Sequence, residues 1–436
     1  MNVSLTTLIR LGAPLLGAVL SLGTPLFAHA RDSGHYVLEK AVQVSRHGVR
    51  PQTDTAKLVE ATQRQWPTWL VRDGELTGHG YLAASLMGAW QAGHYRQAGL
   101  LPAGCPGPGP DTVYTLSSPK QRTRATAAAL MDGMFPGCGH KALASAEKLD
   151  PLFQTDKMDF ARIDPVIAKA QILQALGGDL QAAKAKLQPD LDLLKAVACV
   201  EGKPCPFHEA EWVLKQNDEG RLKIKGLDKA SSLGETFRLQ YSEGKPLSEV
   251  AFGHAADAKQ VMALSRLHRA KYDFVNDTPH IAQRGGSQLM NQLLLALEQG
   301  TPLEKADPLG NPPKAALMVI VAHDTNLSHL RTMLGFHWAL GEYQPGNIPP
   351  TGTLAFERYR DADSGERFIR TTFLTQSPDQ IRNLTPLNAE NPPLQVDFDQ
   401  LGCKKTGVGT LCPLERFAAN LTKAIDRTAQ TTARYP

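Results

Sequence analysis

The chain has 436 residues, of which 42% are hydrophobic and 21% are charged. This composition is typical of a folded globular protein with a sizeable core, and the length allows one large domain or two ordinary ones. The 47 basic residues exceed the 43 acidic residues by only four, and they form no long basic block. A nucleic-acid-binding surface is therefore not expected.

The first 30 residues have the pattern of an export signal. Arg10 supplies a positive start, residues 11–27 are mostly apolar, and Ala28-His29-Ala30 is a cleavage site of the small-x-small type. A transmembrane helix would need about 20 consecutive apolar residues, whereas this run is shorter and is interrupted by two prolines. We predict a signal peptide over residues 1–30, a periplasmic or secreted mature chain, and no membrane anchor.

Strand and helix patterns alternate after the signal. Residues 36–44 resemble a strand in which Val42 and Val44 alternate with polar neighbours. A helix is predicted over 77–95, a second strand over 111–116, and a second helix from Ser117-Ser118-Pro119 onward. This alternation is typical of a parallel α/β sheet.

The middle of the chain, residues 155–305, has a different pattern. Asp164 is placed to cap a helix whose first residue is Pro165. Further helical patterns cover residues 191–198, 232–241, 257–276 and 287–298. We predict that residues 155–305 form an all-helical cap domain.

Sheet patterns return near the C-terminus. The eight apolar residues 315–322 suit a central parallel strand that is buried on both faces. Segments 353–358 and 368–374 are further strand candidates. Both ends of the chain, residues 31–154 and 306–436, are therefore predicted to form one α/β domain.

Six cysteines follow the predicted signal, and an even number in an exported protein suggests three disulfides. Six cysteines allow 15 pairings. Proximity along the chain favours Cys105–Cys138, Cys199–Cys205 and Cys403–Cys412. A zinc site would be a different use of these residues, but the chain has no Cys-x-x-Cys and no zinc-ligand spacing of cysteine with histidine.

Three segments place basic or acid–base side chains where an apolar run ends. They are Ser45-Arg46-His47-Gly48-Val49-Arg50, Arg122-Thr123-Arg124 and Ala322-His323-Asp324-Thr325. Ligands of open α/β sheets bind beyond the carboxyl ends of the strands. If the strands are parallel neighbours, the segments meet at one rim and supply a nucleophile, a cationic cradle and a proton donor. Those are the parts of a metal-free site for phosphoryl transfer.

Each of these residues also has a plainer structural explanation. His47 could be a buried structural histidine, but Arg46 and Arg50 would need anions or water in a core. Their charges should keep the His47 imidazole neutral and nucleophilic. Asp324 could be the N-cap of a helix over residues 326–333, which is compatible with proton donation.

The roles of two neighbouring groups stay open at this point. Arg122 and Arg124 are two residues apart, so on a helix at most one of them should face the pocket. His323 could orient Asp324, or it could donate a hydrogen bond to phosphate itself.

With these motifs the chain resembles the histidine acid phosphatases, the secreted two-domain branch of the histidine phosphatase superfamily, and most closely the bacterial periplasmic phytase/acid phosphatases. Lesser similarities extend the resemblance over the mature chain, among them Trp66-Pro67-Thr68-Trp69, Asp150-Pro151-Leu152-Phe153 and Pro350-Thr351-Gly352. It implies a phosphoglycerate-mutase-like α/β sheet with helices on both faces and an inserted helical cap.

The resemblance also implies roles for individual residues. His47 would be the nucleophile that forms a phosphohistidine, and Asp324 would protonate the departing alcohol. The residues that would hold the phosphate oxygens are Arg46, Arg50, Arg124 and His323. Thr53 matches a threonine near the bound substrate, although Arg50-Pro51-Gln52-Thr53 departs from the usual Arg-x-Pro-Thr. No metal or cofactor is implied.

The prediction is a metal-independent phosphomonoester hydrolase with an acid optimum. We expect a monomer that acts on small phosphomonoesters such as phytate or sugar phosphates, and His-Asp-Thr favours a phytase over a glucose-1-phosphatase. A phosphoglycerate mutase, a non-catalytic phosphate-binding protein and a serine hydrolase fit less well, and the last of these lacks its Gly-x-Ser-x-Gly motif. The polar cap residues considered as substrate contacts are Glu235, His254, Lys259 and Arg284.

Overall fold

The computed structural model describes residues 35–107, 111–217 and 220–436. The predicted signal peptide, residues 1–30, lies outside this part of the chain. Among the described residues, no helix combines the length and the apolar character that a bilayer crossing requires.

The central element is a mixed β-sheet. The strands of the described residues are β1 (Tyr36–Arg46), β2 (Val113–Ser117), β3 (Leu143–Ala144), β4 (Leu214–Gln216), β5 (Leu222–Ile224), β6 (Leu317–Ala322), β7 (Thr353–Asp361), β8 (Arg367–Thr375), β9 (Leu394–Asp397), β10 (Lys404–Thr406) and β11 (Gly409–Pro413). The sheet has the order β10-β11-β8-β7-β1-β6-β2-β3, with β9 beside β8. Strands β1, β6, β2 and β3 are parallel, whereas β7 runs antiparallel to β1.

Helices cover both faces of this sheet, as predicted. Val42 and Val44 of β1 pack in the core beneath the helices Pro279–Glu298, Asp324–Leu334 and Leu414–Ala424. Val319 and Val321 of β6 point to the other face, where the helices Gly78–Gln97 and Gln121–Met134 lie. Alternate side chains of a strand point to opposite faces, so two covered faces explain why the predicted central strand is apolar throughout.

The remaining helices lie mostly between β3 and β6. In chain order the α-helices outside the two sheet faces are Thr55–Thr62, Pro165–Ala175, Leu180–Lys186, Gln188–Ala198, Pro206–Glu209, Lys225–Ser242, Ala258–Leu264, Arg266–Lys271 and Pro378–Arg382. Short 3₁₀ turns cover Thr155–Lys157, Asp159–Ala161, Val250–Gly253 and Arg427–Ala429, and Tyr272–Asn276 is a π-helix. As predicted, the Asp164 carboxylate caps the helix that begins at Pro165.

The inserted region differs from its predicted outline in two respects. It contains a two-stranded antiparallel pair, β4 and β5, in addition to its helices. The last helix predicted there, over 287–298, spans Pro279–Glu298 in the structure and buries Leu289 and Leu293 in the core of the sheet. The apolar stripe of that helix therefore belongs to the α/β domain, and the helical insertion ends nearer residue 278 than 305.

The three disulfides are those that proximity favoured. The structure pairs Cys105 with Cys138, Cys199 with Cys205, and Cys403 with Cys412. All six cysteines are thereby used.

The helices Gly78–Gln97 and Gln121–Met134 touch through their backbones. A Cβ atom at Gly133 would overlap the carbonyl oxygen of Ser85, and one at Gly88 would overlap that of Leu130. We expect Gly133→Ala to lower the free energy of unfolding by about 2 kcal/mol, because the helices must separate. Gly93→Ala is the matched control, since a Cβ there meets no atom within 4 Å, and it should add up to about 1 kcal/mol. Urea denaturation measures both, and equal effects would contradict the packing explanation.

Candidate active site

The carboxyl ends of three parallel strands lie level in the sheet. Arg46 of β1 pairs with Ala322 of β6, and the next residue, His47, donates its backbone N–H to the Ala322 carbonyl at 3.1 Å. On the other side of β6, the Ser118 N–H donates to the Val321 carbonyl at 3.0 Å. The register therefore brings the residues that follow β1, β2 and β6 to one rim, as the motifs predicted.

His47 is held with one nitrogen free for chemistry. Its ring is buried, and Nδ1 lies 2.9 Å from the Gly48 carbonyl oxygen. A carbonyl oxygen only accepts, so Nδ1 carries the hydrogen and Nε2 keeps its lone pair. Burial, followed by the charges of Arg122 and Arg50, lowers the pKa of His47 well below its usual value. The neutral imidazole is the form that a nucleophile needs.

A cavity of about 200 Å³ opens beside His47. Its polar lining comprises His47, Arg50, Lys120, Arg122, Gln154, Asp156, Lys157, Arg221, His323, Asp324, Thr325, Asn326 and His329. Arg50 and Arg122 each have a buried Nε with no hydrogen-bond partner among the described residues. Burial, with repulsion from Arg46 and Arg122, lowers the pKa of Arg50 to about 10, which still leaves it charged in acid. Guanidinium donors without partners in a positively charged cavity suit a phosphate group.

The arginine of the second motif that reaches this cavity is Arg122, and the expectation for Arg124 was wrong. Arg122 donates to the Gly74 carbonyl and places Nη2 3.4 Å from His323 Nδ1. Arg124 is exposed and does not line the cavity. Successive helical residues are about 100° apart, so two positions point to nearly opposite sides. Only one of the two arginines faces the pocket, as the helix geometry predicted. The family resemblance had favoured Arg124, whereas the structure places Arg122 there.

This difference gives a matched test within one helix. Arg122→Met should lower kcat/KM for p-nitrophenyl phosphate by about 100-fold, because a buried charge-assisted contact to phosphate is lost. Arg124→Met should stay within about twofold of the wild type, since exposed charges contribute little. Steady-state kinetics of both variants decide between them, and a larger loss for Arg124→Met would reverse the assignment.

His323 is neutral and hydrogen-bonded at both ring nitrogens. The Arg122 guanidinium can only donate, so His323 Nδ1 accepts from it and Nε2–H donates to Ser118 Oγ at 2.9 Å. Burial, aided by the Arg122 charge, lowers the pKa of His323 to about 3. The same residue is the N-cap of the helix Asp324–Leu334, and its backbone N–H donates to Asn326 Oδ1 at 3.1 Å. Asp324 is thus the first residue of the helix and not its cap.

Asp324 lies in a buried charge network with a cap residue. Arg46 Nη2 contacts Asp324 Oδ2 at 3.1 Å and Glu235 Oε1 at 2.5 Å. Arg46 Nη1 donates to the Ile348 carbonyl at 2.6 Å, and Arg238 forms a second ion pair with Glu235. Arg46 is fully buried and does not line the cavity. Arg46 Nη2 is thus paired with both carboxylates and positions Asp324, while its Nε, like those of Arg50 and Arg122, has no hydrogen-bond partner among the described residues, so its contact with phosphate stays a prediction.

The network controls the protonation of Asp324. Burial on its own would raise the pKa of this carboxyl, but the charges of Arg46 and of its other cationic neighbours lower it well below its usual value. The N-terminal end of the helix acts in the same direction. Asp324 is therefore ionised in the free protein even in mild acid. A proton donor at this position must gain its proton together with an anion that offsets the arginine charges.

Thr53 and the four cap candidates are not among the residues that line the cavity. Thr53 is exposed while its neighbour Gln52 is buried and donates to Asp73 Oδ1. His254 and Lys259 are exposed. Arg284 forms an ion pair with Asp426 at 2.9 Å. Of the four cap candidates, Glu235 is the one that joins the site network.

Sequence reasoning missed several cavity residues. Ser118, Gln154 and Asp156 stand in none of the three motifs with acid–base chemistry, and each reaches the cavity or its histidines through tertiary contacts. Ser118 directly follows β2, so the rule that ligands bind beyond carboxyl ends could have identified it. No local pattern marks Asp156.

Three side chains lie close enough together to hold a metal ion, but the positive charges beside them oppose one. Ligand atoms of Glu235, His268 and Asp324 lie within 4.8 Å of one another. Both carboxylates are already paired with Arg46, and Glu235 is also paired with Arg238. The two guanidiniums repel a cation and occupy carboxylate lone pairs that it would need, so this donor set does not fit a divalent metal.

Comparison with known proteins gives consistent matches over nearly the whole chain. The family model of the histidine phosphatase superfamily (branch 2) matches residues 37–374. Phytase AppA of Escherichia coli strain K12 and the glucose-1-phosphatase of Salmonella typhimurium strain LT2 are each 30% identical, covering 94% and 93% of this chain and 97% of each relative. The crystal structure of Klebsiella sp. ASR1 phytase superimposes with a TM-score of 0.85 at 41% identity, covering 92% of this chain and 98% of the phytase.

Proposed function

Because this chain belongs to branch 2 of the histidine phosphatase superfamily, we propose that it hydrolyses phosphomonoesters through a phosphohistidine on His47, with phytate as its preferred substrate. The activity class, a phosphomonoester hydrolase, follows from the family and its relatives. The observation that carries the residue assignment is the contact of His47 Nδ1 with the Gly48 carbonyl oxygen, which assigns the hydrogen to Nδ1. Its Nε2 lone pair stands free beside the buried guanidinium donors of Arg50 and Arg122.

The reaction consists of two displacements at phosphorus. His47 Nε2 attacks, the bond from phosphorus to the ester oxygen breaks, and that oxygen takes the proton of Asp324 and leaves as an alcohol. Water then attacks the phosphohistidine, Asp324 takes a proton from the water, and the bond from phosphorus to Nε2 breaks. Arg50 and Arg122 hold the phosphoryl oxygens in both steps, which is catalysis by positioning and charge stabilisation.

The proton of Asp324 comes with the substrate. A phosphate monoester loses its second proton near pH 6, so in acid it enters as a monoanion that carries one proton. Once its negative charge offsets Arg46 and Arg50, the pKa of the Asp324 carboxyl rises and the proton moves to it. This sequence supports an acid optimum although Asp324 is ionised in the free protein.

Two observations support phytate over a sugar monophosphate. Basic side chains concentrate around the cavity, where Arg50, Lys120, Arg122, Lys157 and Arg221 outnumber the carboxylates of Asp156 and Asp324. The chain carries a formal charge of only +4 overall, so this is a local field that favours highly charged anions. The compared protein with 41% identity, from Klebsiella sp. ASR1, is also a phytase. Glucose 1-phosphate is the second candidate, because a glucose-1-phosphatase is as similar as AppA.

The expected location and assembly follow from the sequence. A periplasmic or secreted location follows from the export signal over residues 1–30. We also propose a monomer, and the small net charge argues against a nucleic-acid partner. Size-exclusion chromatography with light scattering tests the monomer.

The substrate proposal is tested by kinetics at pH 4.5 in the presence of EDTA. We expect kcat/KM for phytate to exceed that for glucose 1-phosphate by at least about tenfold, since several additional charges meet the basic cavity. We expect EDTA to change neither value. A reversed order would assign the protein as a glucose-1-phosphatase, and loss of activity in EDTA that a divalent cation restores would overturn the metal-free site.

A further inference from the structure

A loop of the α/β domain, residues 344–348, is held by guanidinium groups from four different elements. Each arginine donates to a separate oxygen of the loop: Arg46 to the Ile348 carbonyl, Arg238 to Asn347 Oδ1, Arg269 to the Pro345 carbonyl and Arg331 to the Gly346 carbonyl. Two of these arginines belong to helices of the insertion, and the other two belong to β1 and to the helix Asp324–Leu334. Hydrogen bonds from charged donors are roughly twice as strong as neutral ones, so the loop is fixed to both parts of the chain.

Two of the four arginines close a ring of contacts that starts and ends at Arg46. Arg46 Nη2 contacts Glu235 Oε1 at 2.5 Å, and Arg238 donates to the other carboxylate oxygen, Oε2. Arg46 Nη1 donates to the Ile348 carbonyl at 2.6 Å, and Arg238 Nη1 donates to the side chain of the preceding residue, Asn347. All five residues of this ring are buried. Such contacts are strong in a low-dielectric interior, so the ring holds the Arg46 guanidinium in one orientation.

The same nitrogen of Arg46 also contacts the proposed proton donor. Nη2 lies 3.1 Å from Asp324 Oδ2 and 2.5 Å from Glu235 Oε1, so two carboxylates share it. A guanidinium frequently binds one carboxylate through two parallel hydrogen bonds. Here Arg238 occupies Glu235 Oε2, which opposes that arrangement. Arg238 thereby leaves Arg46 Nη2 available to Asp324.

Arg238 is placed to act on the reaction only through other residues. Its exposed fraction is 1%, and it is not among the residues that line the catalytic cavity. It contacts Glu235, which contacts Arg46, which contacts Asp324. An effect of Arg238 on the rate must therefore pass through the position of the Asp324 carboxyl.

We propose that Arg238 is a positioning residue for proton transfer, which through Glu235 holds the Arg46 guanidinium where it orients the Asp324 carboxyl toward the leaving oxygen. The inference rests on the proposed phosphatase function and deepens it, because it makes a residue of the helical insertion necessary for the acid step. A misplacement of about 1 Å can cost about 100-fold in rate. Loss of this contact should therefore be measurable for substrates that need the proton.

The experiment compares kcat for two leaving groups. Phytate releases an alkoxide that needs a proton, whereas p-nitrophenyl phosphate releases an anion that does not. In Arg238→Met, the ratio of kcat for phytate to kcat for p-nitrophenyl phosphate should fall by about tenfold. Loss of folded protein lowers both values equally, so the ratio is insensitive to it. Arg269→Met is the matched control, because this arginine holds the same loop but pairs with Asp273 outside the ring. It should keep the wild-type ratio.

Arg238→Lys is a second variant, which also serves if the methionine variant does not fold. Lysine keeps the positive charge beside Glu235 but lacks the fork that reaches Asn347 as well. The ratio should fall by about threefold, less than in Arg238→Met.

A combination with Asp324→Asn shows whether the effect passes through Asp324. In that background Arg238→Met should change the ratio by less than about twofold, because the residue that it positions no longer donates a proton. A tenfold fall there, or an unchanged ratio in both Arg238 variants, would overturn the inference and leave the phosphatase function intact. If Asp324→Asn by itself does not lower the ratio, the proposed proton donor is wrong and this inference is wrong with it. A wild-type protein that hydrolyses neither substrate would overturn the proposed function as a whole.

Discussion

Replacing His47 with alanine is expected to lower kcat by about 10⁴-fold or more for every phosphomonoester, because the covalent route then has no nucleophile. The fold should persist. The ring is buried, but its hydrogen bond goes to the carbonyl of the adjacent Gly48, so its removal breaks no hydrogen bond between distant elements. Asparagine at position 47 should behave in the same way, since it lacks a basic nitrogen.

The intermediate itself provides the sharper measurement. Rapid mixing with a substrate labelled in the phosphoryl group, followed by an alkaline quench, should trap label on the wild-type chain as phosphohistidine at residue 47. His254→Ala is the matched control, because this histidine is exposed and lies outside the cavity. It should label and turn over like the wild type. Label on any other side chain, or turnover that survives His47→Ala, would refute the nucleophile assignment.

Substitution of Asp324 by asparagine should separate substrates by their leaving groups. An alkoxide leaves slowly without a proton, so kcat for phytate should fall by about 10²–10⁴-fold, the usual range for general acid catalysis. p-Nitrophenolate leaves readily as an anion, and kcat for its phosphate should fall far less. The comparison is internal to one variant, so loss of folded protein affects both substrates equally.

The pH dependence follows from the same carboxyl. The pKa of Asp324 is lowered in the free protein, so the required proton must arrive on the substrate monoanion, which disappears above about pH 6. Wild-type kcat/KM should therefore fall tenfold for each pH unit above that value. His47 remains neutral throughout because its pKa is also lowered, so it should produce no loss of activity in mild acid.

Equal losses for both leaving groups in Asp324→Asn would show that this carboxyl is not the proton donor.

Features that depend on short-range pattern could be predicted from the amino-acid sequence. Apolar runs that end in Arg46-His47 and in His323-Asp324 predicted one shared carboxyl edge if their strands are parallel neighbours, and the pairing of β1 with β6 meets that condition. Cysteines that are close along the chain pair with each other because a short loop keeps them together. Helical periodicity likewise predicted helices over 191–198 and 232–241, which lie within the observed helices Gln188–Ala198 and Lys225–Ser242.

Features that depend on packing between distant segments could not be predicted in this way. Arg122 points toward His323 because of the way its helix is rotated about its axis where it packs against β6. A shift of two residues along this helix would have pointed Arg124 there instead. The pairing of Arg46 with Glu235 spans 189 residues, and the helix Pro279–Glu298 joined the sheet because its apolar stripe fits there. Such contacts form only when the whole core has packed. They therefore cannot be predicted from the pattern of any short segment of the sequence.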